Sequence, residues 1–202
     1  MYLSKIELDS MKMKTRISLK NPSLIHGTLA SNYPGQKILW RIDEVGPKRN
    51  LLLMSERPED YSPLKSQFGV DQSQTATTEL SGFLNRLSEG SQWRFRLKAN
   101  PVYRTINKKT NRKAYCHYMN NADRLHWLEE RSEKNGFKID SVSITGIENI
   151  RFKRQGKTVT LSAATFDGVL SITDPEKFKS VFQSGIGHGK AYGLGLLSLA
   201  LI

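Results

Sequence analysis

A chain of 202 residues, 38% of them hydrophobic, has enough apolar surface for one larger domain or two small ones. Thirty-one Lys and Arg against nineteen Asp and Glu leave a net charge of +12, which attracts polyanions, nucleic acid first and acidic membranes second. No run approaches the roughly 20 apolar residues needed to cross a bilayer. The opening MYLSKIEL lacks the order of a signal peptide, and the single cysteine, Cys116, excludes an internal disulfide, so a cytoplasmic protein is expected.

Tyr2–Leu8 reads as a strand, with Tyr2, Ile6 and Leu8 on one face at period two. A basic loop from Lys12 to Lys20 follows. Asn21-Pro22 marks a helix start, with Asn as the cap and Pro in the first turn. That helix carries Leu24, Ile25, Thr28 and Leu29 and ends before Pro34. Lys37–Ile42 and Leu51–Ser55 are strand-like runs around a turn at Gly46 to Asn50. The proline-bearing stretch from Arg57 to Thr78 has no clear pattern, whereas Leu80, Phe83, Leu84 and Leu87 have helical spacing that Gly90 closes. The first ninety residues therefore read as β-α-β-β-α, one strand short of a split βαβ sandwich.

The second half repeats the rhythm. Trp93–Ala99 is a strand limited by Pro101, and residues 104 to 113 form a polar, basic loop. Ala122, Leu125, Trp127 and Leu128 lie on a helix ending near Gly136. Two long strand-like runs flank the turn Gln155-Gly156, and Gly168–Thr173 adds another strand. Asp174-Pro175 opens a helix bearing Phe178, Val181 and Phe182, and a glycine-rich loop leads to the terminal strand LLSLALI. The expected architecture is α+β, two tandem ferredoxin-like (RRM-like) domains covering residues 1–90 and 91–202.

The chemistry-bearing residues are few. None of His26, His117, His126 and His188 sits in a zinc motif, and the carboxylates are too scattered for a two-metal centre, so neither metal nor cofactor is expected. RNA carries its own nucleophile, the 2′-hydroxyl beside each phosphate. Its cleavage needs proton transfer, which suits histidine, and positive charge at the phosphorane, which suits lysine and arginine. GIGHGKAYGLGLL gathers Gly185, Gly187, Gly189, Gly193 and Gly195 around Lys190. From spacing alone, a phosphate cradle and a structural tight turn stand level. The hairpin Ile150–Thr160 carries Arg151, Lys153, Arg154 and Lys157 about its turn, with Arg151 and Lys153 on one face and Phe152 and Arg154 on the other. Such a ribbon can track phosphates along structured RNA, and Arg112 and Lys113 add a second basic contact.

Taken in order, these segments resemble the CasE family, the repeat-processing endoribonucleases of type I-E CRISPR systems. MYLSKIEL is similar to the family's opening strand and NPSLIHGTL to its active-site helix. FRLKANP, LHWLEER and ATFDGVLSITDPEKF are similar to elements of its second domain. GIGHGKAYGLGLLSL resembles its glycine-rich signature, the most specific of the set. The resemblance spans nearly the whole chain. It implies two ferredoxin-like domains, binding of a CRISPR repeat stem-loop, and cleavage at the 3′ base of the stem to a 2′,3′-cyclic phosphate. It also implies retention among the other Cascade subunits.

On this resemblance His26 is the catalytic histidine, acting as general acid. Where the family often has tyrosine three residues earlier, this chain has Ser23. A basic residue shortly after the histidine is also missing, so Lys190, Lys12, Lys14 or Arg16 is expected to supply charge. Two other readings fit the basic composition: a non-catalytic RNA-binding subunit that holds the repeat hairpin, and a general RNA chaperone.

Overall fold

The computed structural model describes residues 1–107 and 111–202, apart from the side chains of Asn107, Arg112 and Lys113. It contains two four-stranded antiparallel sheets of the same design. The first comprises β1 (Tyr2–Leu8), β2 (Leu39–Val45), β3 (Lys48–Ser55) and β4 (Ala76–Glu79), in the order β2-β3-β1-β4. Helices α1 (Met13–Lys20) and α2 (Ser23–Asn32) connect β1 to β2, and α3 (Ser62–Phe68) connects β3 to β4. A single turn, α4 (Ser81–Leu84), leads to the second sheet. There, β5 (Gln92–Ala99), β8 (Phe137–Arg154), β9 (Lys157–Ile172) and β10 (Leu197–Ala200) are arranged β10-β5-β9-β8. Helices α5 (Asn121–Lys134) and α6 (Pro175–Ser184) serve this sheet, and a separate hairpin of β6 (Val102–Asn107) and β7 (Arg112–His117) follows β5. Each half has the β-α-β-β-α-β order of a ferredoxin-like sandwich, so the architecture is α+β with two such units in tandem.

Local chemistry accounts for most element boundaries. Alternation in β1 buries Ser4, Ile6 and Leu8 and leaves Lys5 in solvent. Ile25 and Leu29, four residues apart, turn α2 onto that face beside Leu64 and Phe68 of α3. Asn120 caps α5 by accepting the Asp123 N–H at 2.8 Å, and Asp174 caps α6 ahead of Pro175.

Several sequence expectations are corrected. Residues 13–20 are helical rather than a loop. The buried face of α1 is Thr15 and Ser18, whose hydroxyls donate to the carbonyls of Phe68 and Thr15, so no apolar periodicity announces it. The unassigned stretch 57–78 holds α3 and β4. β4 is exposed throughout and pairs with β1, so the missing fourth strand precedes the 80–87 segment, where only one helical turn forms. The β2–β3 turn closes between Val45 and Lys48, tighter than 46–50. Part of the expected loop 104–113 belongs to the β6–β7 hairpin; residues 108–110 and the Arg112 and Lys113 side chains lie outside the described residues. Gly168–Thr173 is no separate strand, because β9 runs unbroken through Gly168 to Ile172. At Gly168 a Cβ would stand 2.9 Å from Val142 Cα, so glycine there lets β8 cross closely between its two register shifts.

The two units are joined through the edge strand β2. Leu39 and Met54 leave the first unit's own core and join Trp93, Leu97, Trp127, Phe166 and Phe178 in the larger one. Between them Arg41, 1% exposed, donates from Nη1 to the carbonyls of Arg96 (3.0 Å) and Leu196 (2.9 Å) and from Nη2 to Ser198 Oγ (2.8 Å). Its remaining bonds go to both oxygens of Asp43 at 2.7 Å. Among the described residues, no helix is long and apolar enough to cross a membrane. Removing one member of a buried ion pair strands the other, at a cost of about 3–5 kcal/mol. Arg41→Ala is therefore expected to lower unfolding free energy by about that amount, read by urea denaturation; a change below about 1 kcal/mol contradicts the role given to this residue.

Candidate active site

His26 lies on the second turn of α2, half-buried and one residue past the core residue Ile25. Two residues before its helix begins at Ser23, Asn21 accepts both the N–H and the hydroxyl of Ser23 on its Oδ1. The Ser23 proton is thus used in the helix start. His26 faces a cleft of about 310 Å³ lined by Leu29, Ala30, Tyr33, Lys37 and Lys190. Burial, with the charge of Arg154 second, holds its pKa below the ordinary 6.5 and favours neutral imidazole in the RNA-free protein.

The opposite wall is the glycine-rich loop. Gly185, Gly187, Gly189, Gly193 and Gly195 all have positive φ. A single 3₁₀ turn, Lys190–Tyr192, stands between Gly189 and Gly193, both left-handed. Gly193 and Gly195 are equally constrained, because a Cβ would come within 2.6 Å of the Trp40 ring of β2 at the first and of the Ile186 carbonyl oxygen at the second. Lys190 Nζ donates to the Ser184 carbonyl at 2.8 Å, and burial together with nearby Lys37 lowers its pKa. The Tyr192 ring meets His26 edge-on, with centroids 6.0 Å apart and planes at 73°.

The basic hairpin arrives from a third direction. Ile150, Phe152, Leu161 and Ala163 form a small core with Leu194 of the loop, and Tyr192 packs against it. This fixes the ribbon and gives its two faces different surroundings. Arg151 and Lys153 are exposed, as is Lys157 beyond the turn. Arg154 is exposed as well, but it donates from Nη1 to the Tyr192 hydroxyl at 2.6 Å.

The structure thus brings together His26, Lys190 and Arg154 from the sequence candidates and separates them from Arg151, Lys153 and Lys157. It adds Tyr192 and Lys37, which the sequence reading missed. The signal for Tyr192 was an aromatic inside the glycine run, beside Lys190; Lys37 follows the Pro34-Gly35 turn with no motif to flag it. Lys12 was expected to lend charge, but it pairs with Asp71 at 2.6 Å. Arg16 lines a different cleft with Met13 and Ile17.

The other histidines are engaged elsewhere. His117 bonds Asn100 at 3.0 Å, His126 lies 3.8 Å from both Glu129 and Glu130, and His188 packs at a tilt against Tyr115, with ring centroids 4.5 Å apart. A larger cleft of about 490 Å³ contains Arg49, Arg96 and Lys98, each already paired with a carboxylate, and no histidine. Among the described residues no three His, Cys, Asp or Glu side chains converge. The His26 cleft therefore offers a proton carrier and uncompensated cations in one place.

The family model for CRISPR associated protein matches residues 1–200. The chain belongs to this family. Within it, the chain is 31% identical to the CRISPR-associated endoribonuclease Cse3 of Thermus thermophilus, an alignment covering 99% of this chain and 100% of that protein. It is 30% identical to the Cascade subunit CasE of Escherichia coli over 57% of this chain and 61% of CasE. The structure of Thermus thermophilus Cse3 bound to an RNA representing a pre-cleavage complex superposes with a TM-score of 0.80 at 27% identity, covering 99% and 98% of the two chains. CasE membership and the tandem ferredoxin-like fold both agree with the sequence resemblance.

Packing explains the family's glycine signature in this chain as a conformational requirement. Gly193→Ala combines left-handed strain with the approach to Trp40 and should cost about 1–3 kcal/mol. A thermal melt checks this; an unshifted melt means Trp40 yields freely and the loop is not held by it.

Proposed function

We propose that the protein is a metal-independent endoribonuclease that cuts CRISPR repeat stem-loops in precursor RNA into guide RNA. The observation that carries this reading is the convergence of His26 with Lys190 and Lys37 in one cleft, in a chain similar to Cse3 along its whole length. The 2′-hydroxyl gives up its proton to solvent, its oxygen attacks the adjacent phosphorus, the bond to the 5′-oxygen breaks, and a 2′,3′-cyclic phosphate remains. His26 donates its ring proton to the departing 5′-oxygen. Burial lowers the His26 pKa in the free protein, whereas a bound phosphate favours imidazolium, so substrate itself loads the acid near neutral pH.

Lys190 and Lys37 supply positive charge at the phosphate. The lowered pKa of Lys190 reflects burial and an unneutralised cation beside it, a state that an incoming anion relieves. Ser23 supports the site through the start of α2. The glycine-rich loop holds Lys190 in place, and Arg151, Lys153 and Lys157 track the stem. The product stays bound, and the protein works in the cytoplasm alongside other Cascade subunits. Residues 1–90, with the catalytic helix, and 91–202, with ribbon and loop, act as its two domains.

Single-turnover cleavage of a labelled repeat hairpin tests this. Cutting should persist in excess EDTA and stop when the scissile nucleotide lacks its 2′-hydroxyl. His26→Ala should slow it by about 10²–10⁴-fold with little change in affinity. A deoxy substrate cut at the ribo rate would falsify the mechanism. Tight binding without any cut would make the chain an RNA-holding subunit.

The ribbon has its own signature. Replacing Arg151 and Lys153 by alanine should weaken binding and flatten its salt dependence by about 0.7–0.9 of a log–log unit for each phosphate no longer neutralised. Cleavage at saturation should be unaffected. An unchanged salt slope removes these two residues from the interface.

A further inference from the structure

Arg154 leaves the ribbon on the face opposite Arg151 and Lys153, and its surroundings differ in kind. Two residues earlier on the same face, Phe152 is sunk into the small core beneath the hairpin and meets Tyr192 at 4.8 Å. Tyr192 lies between Arg154 and His26. It accepts the Arg154 Nη1 proton at 2.6 Å and presents its ring edge-on to His26 at 6.0 Å. The guanidinium carbon stands 5.8 Å from the Tyr192 ring centroid.

The choice of partner matters. A carboxylate would hold the guanidinium and cancel its charge, as Asp167 does for Arg96 at 2.6 Å. A phenol holds it and leaves the charge intact. A guanidinium has five N–H donors, so a tether to one hydroxyl leaves others for a phosphate. The charge is felt at His26, where Arg154 adds to the effect of burial in disfavouring imidazolium.

Resting on the repeat-cleavage reading above, we propose that Arg154 is a catalytic residue: tethered by Tyr192, its guanidinium binds a non-bridging oxygen of the phosphate at which His26 acts. Tyr192 is a positioning residue. As the 2′-oxygen–phosphorus bond forms and the phosphorus–5′-oxygen bond breaks, negative charge gathers on the non-bridging oxygens and Arg154 stabilises it. Arg154 exchanges no proton; the only proton delivered to the leaving group comes from His26. The basic ribbon therefore divides its cations, one face gripping the stem and the other completing the active centre.

Four chains, the unaltered one, Arg154→Ala, Arg154→Lys and Tyr192→Phe, separate this role from stem contact. Each is measured for single-turnover rate at saturation, hairpin dissociation constant, and His26 titration by NMR without RNA. Removing one such donor typically costs 10²–10³-fold, so Arg154→Ala should lose about that in rate with little change in affinity. Arg154→Lys keeps the charge without the fork and should recover part of the rate. Tyr192→Phe keeps the ring and loses the tether, for an intermediate loss. The His26 midpoint should move upward in Arg154→Ala, since a cation that lowers it has gone; a purely structural residue would leave it unmoved.

A normal saturated rate with weakened binding in Arg154→Ala overturns the assignment and returns Arg154 to the stem-gripping set. An unmoved His26 midpoint counts against it as well, by placing the guanidinium too far from the imidazole. If the unaltered chain fails to cut the hairpin, the cleavage reading itself falls and takes any catalytic role with it. Cutting by the unaltered chain alongside full-rate cutting by Arg154→Ala overturns only the proposal for Arg154.

Discussion

The closeness of the glycine-rich loop to β2 governs nearly everything else at the site. Three consecutive residues of that edge strand act in different ways. Leu39 approaches Gly185, Trp40 fills the space a side chain at Gly193 would need, and Arg41 caps carbonyls on β5 and just before β10. With both ends of the loop fixed against another unit, Lys190 and Tyr192 have little freedom of placement. His26 belongs to the helix α2, held by the Ile25 and Leu29 packing on the β1 face. The groups proposed to react thus sit on separate elements whose relative position is set by strand and helix packing, which suits chemistry that tolerates little displacement.

The sequence was most legible where local chemistry and packing agree. β1, α5 and α6 follow from alternation, apolar helical spacing and an aspartate-proline start, because large apolar side chains mark their buried faces. It was least legible where the fold buries polar groups or exposes whole elements. α1 hides threonine and serine, and β4 is exposed along its whole length while pairing through its backbone. In the site, His26 and the glycine loop carried a recognisable pattern. The link between Arg154 and Tyr192 did not, since residues 38 apart are joined by strand alternation and a loop conformation that spacing does not reveal.

Charge also needs dividing by environment before it means binding. Of the cations behind the net +12, Arg41 is a buried fastener, and Arg96 and Lys98 are paired with Asp167 and Glu148. Their fields are largely cancelled. Lys37, Lys190, Arg154 and the exposed row of the ribbon have no carboxylate partner among the described residues, and an approaching polyanion meets them with their charge intact. The cleft around Arg96 and Lys98 is larger than the one at His26, yet its charges are already matched, so size alone points away from the chemistry.

The fastening of β2 to β10 has a consequence for how the protein is made. Arg41 and the Leu196 carbonyl it binds are 155 residues apart along the chain. His26 therefore leaves the ribosome well before the loop that faces it. At about 5–20 residues per second, the interval is roughly 10–30 s. During that time the first unit can form its own core, but it has neither Lys190 nor Tyr192, and the glycine that seats against Trp40 does not yet exist. A nascent chain that stops short of the loop has one wall of the His26 cleft and lacks the other. The wall that faces His26 is complete only once residues 185–195 have been made, so the cleft assembles in the order helix first, loop last.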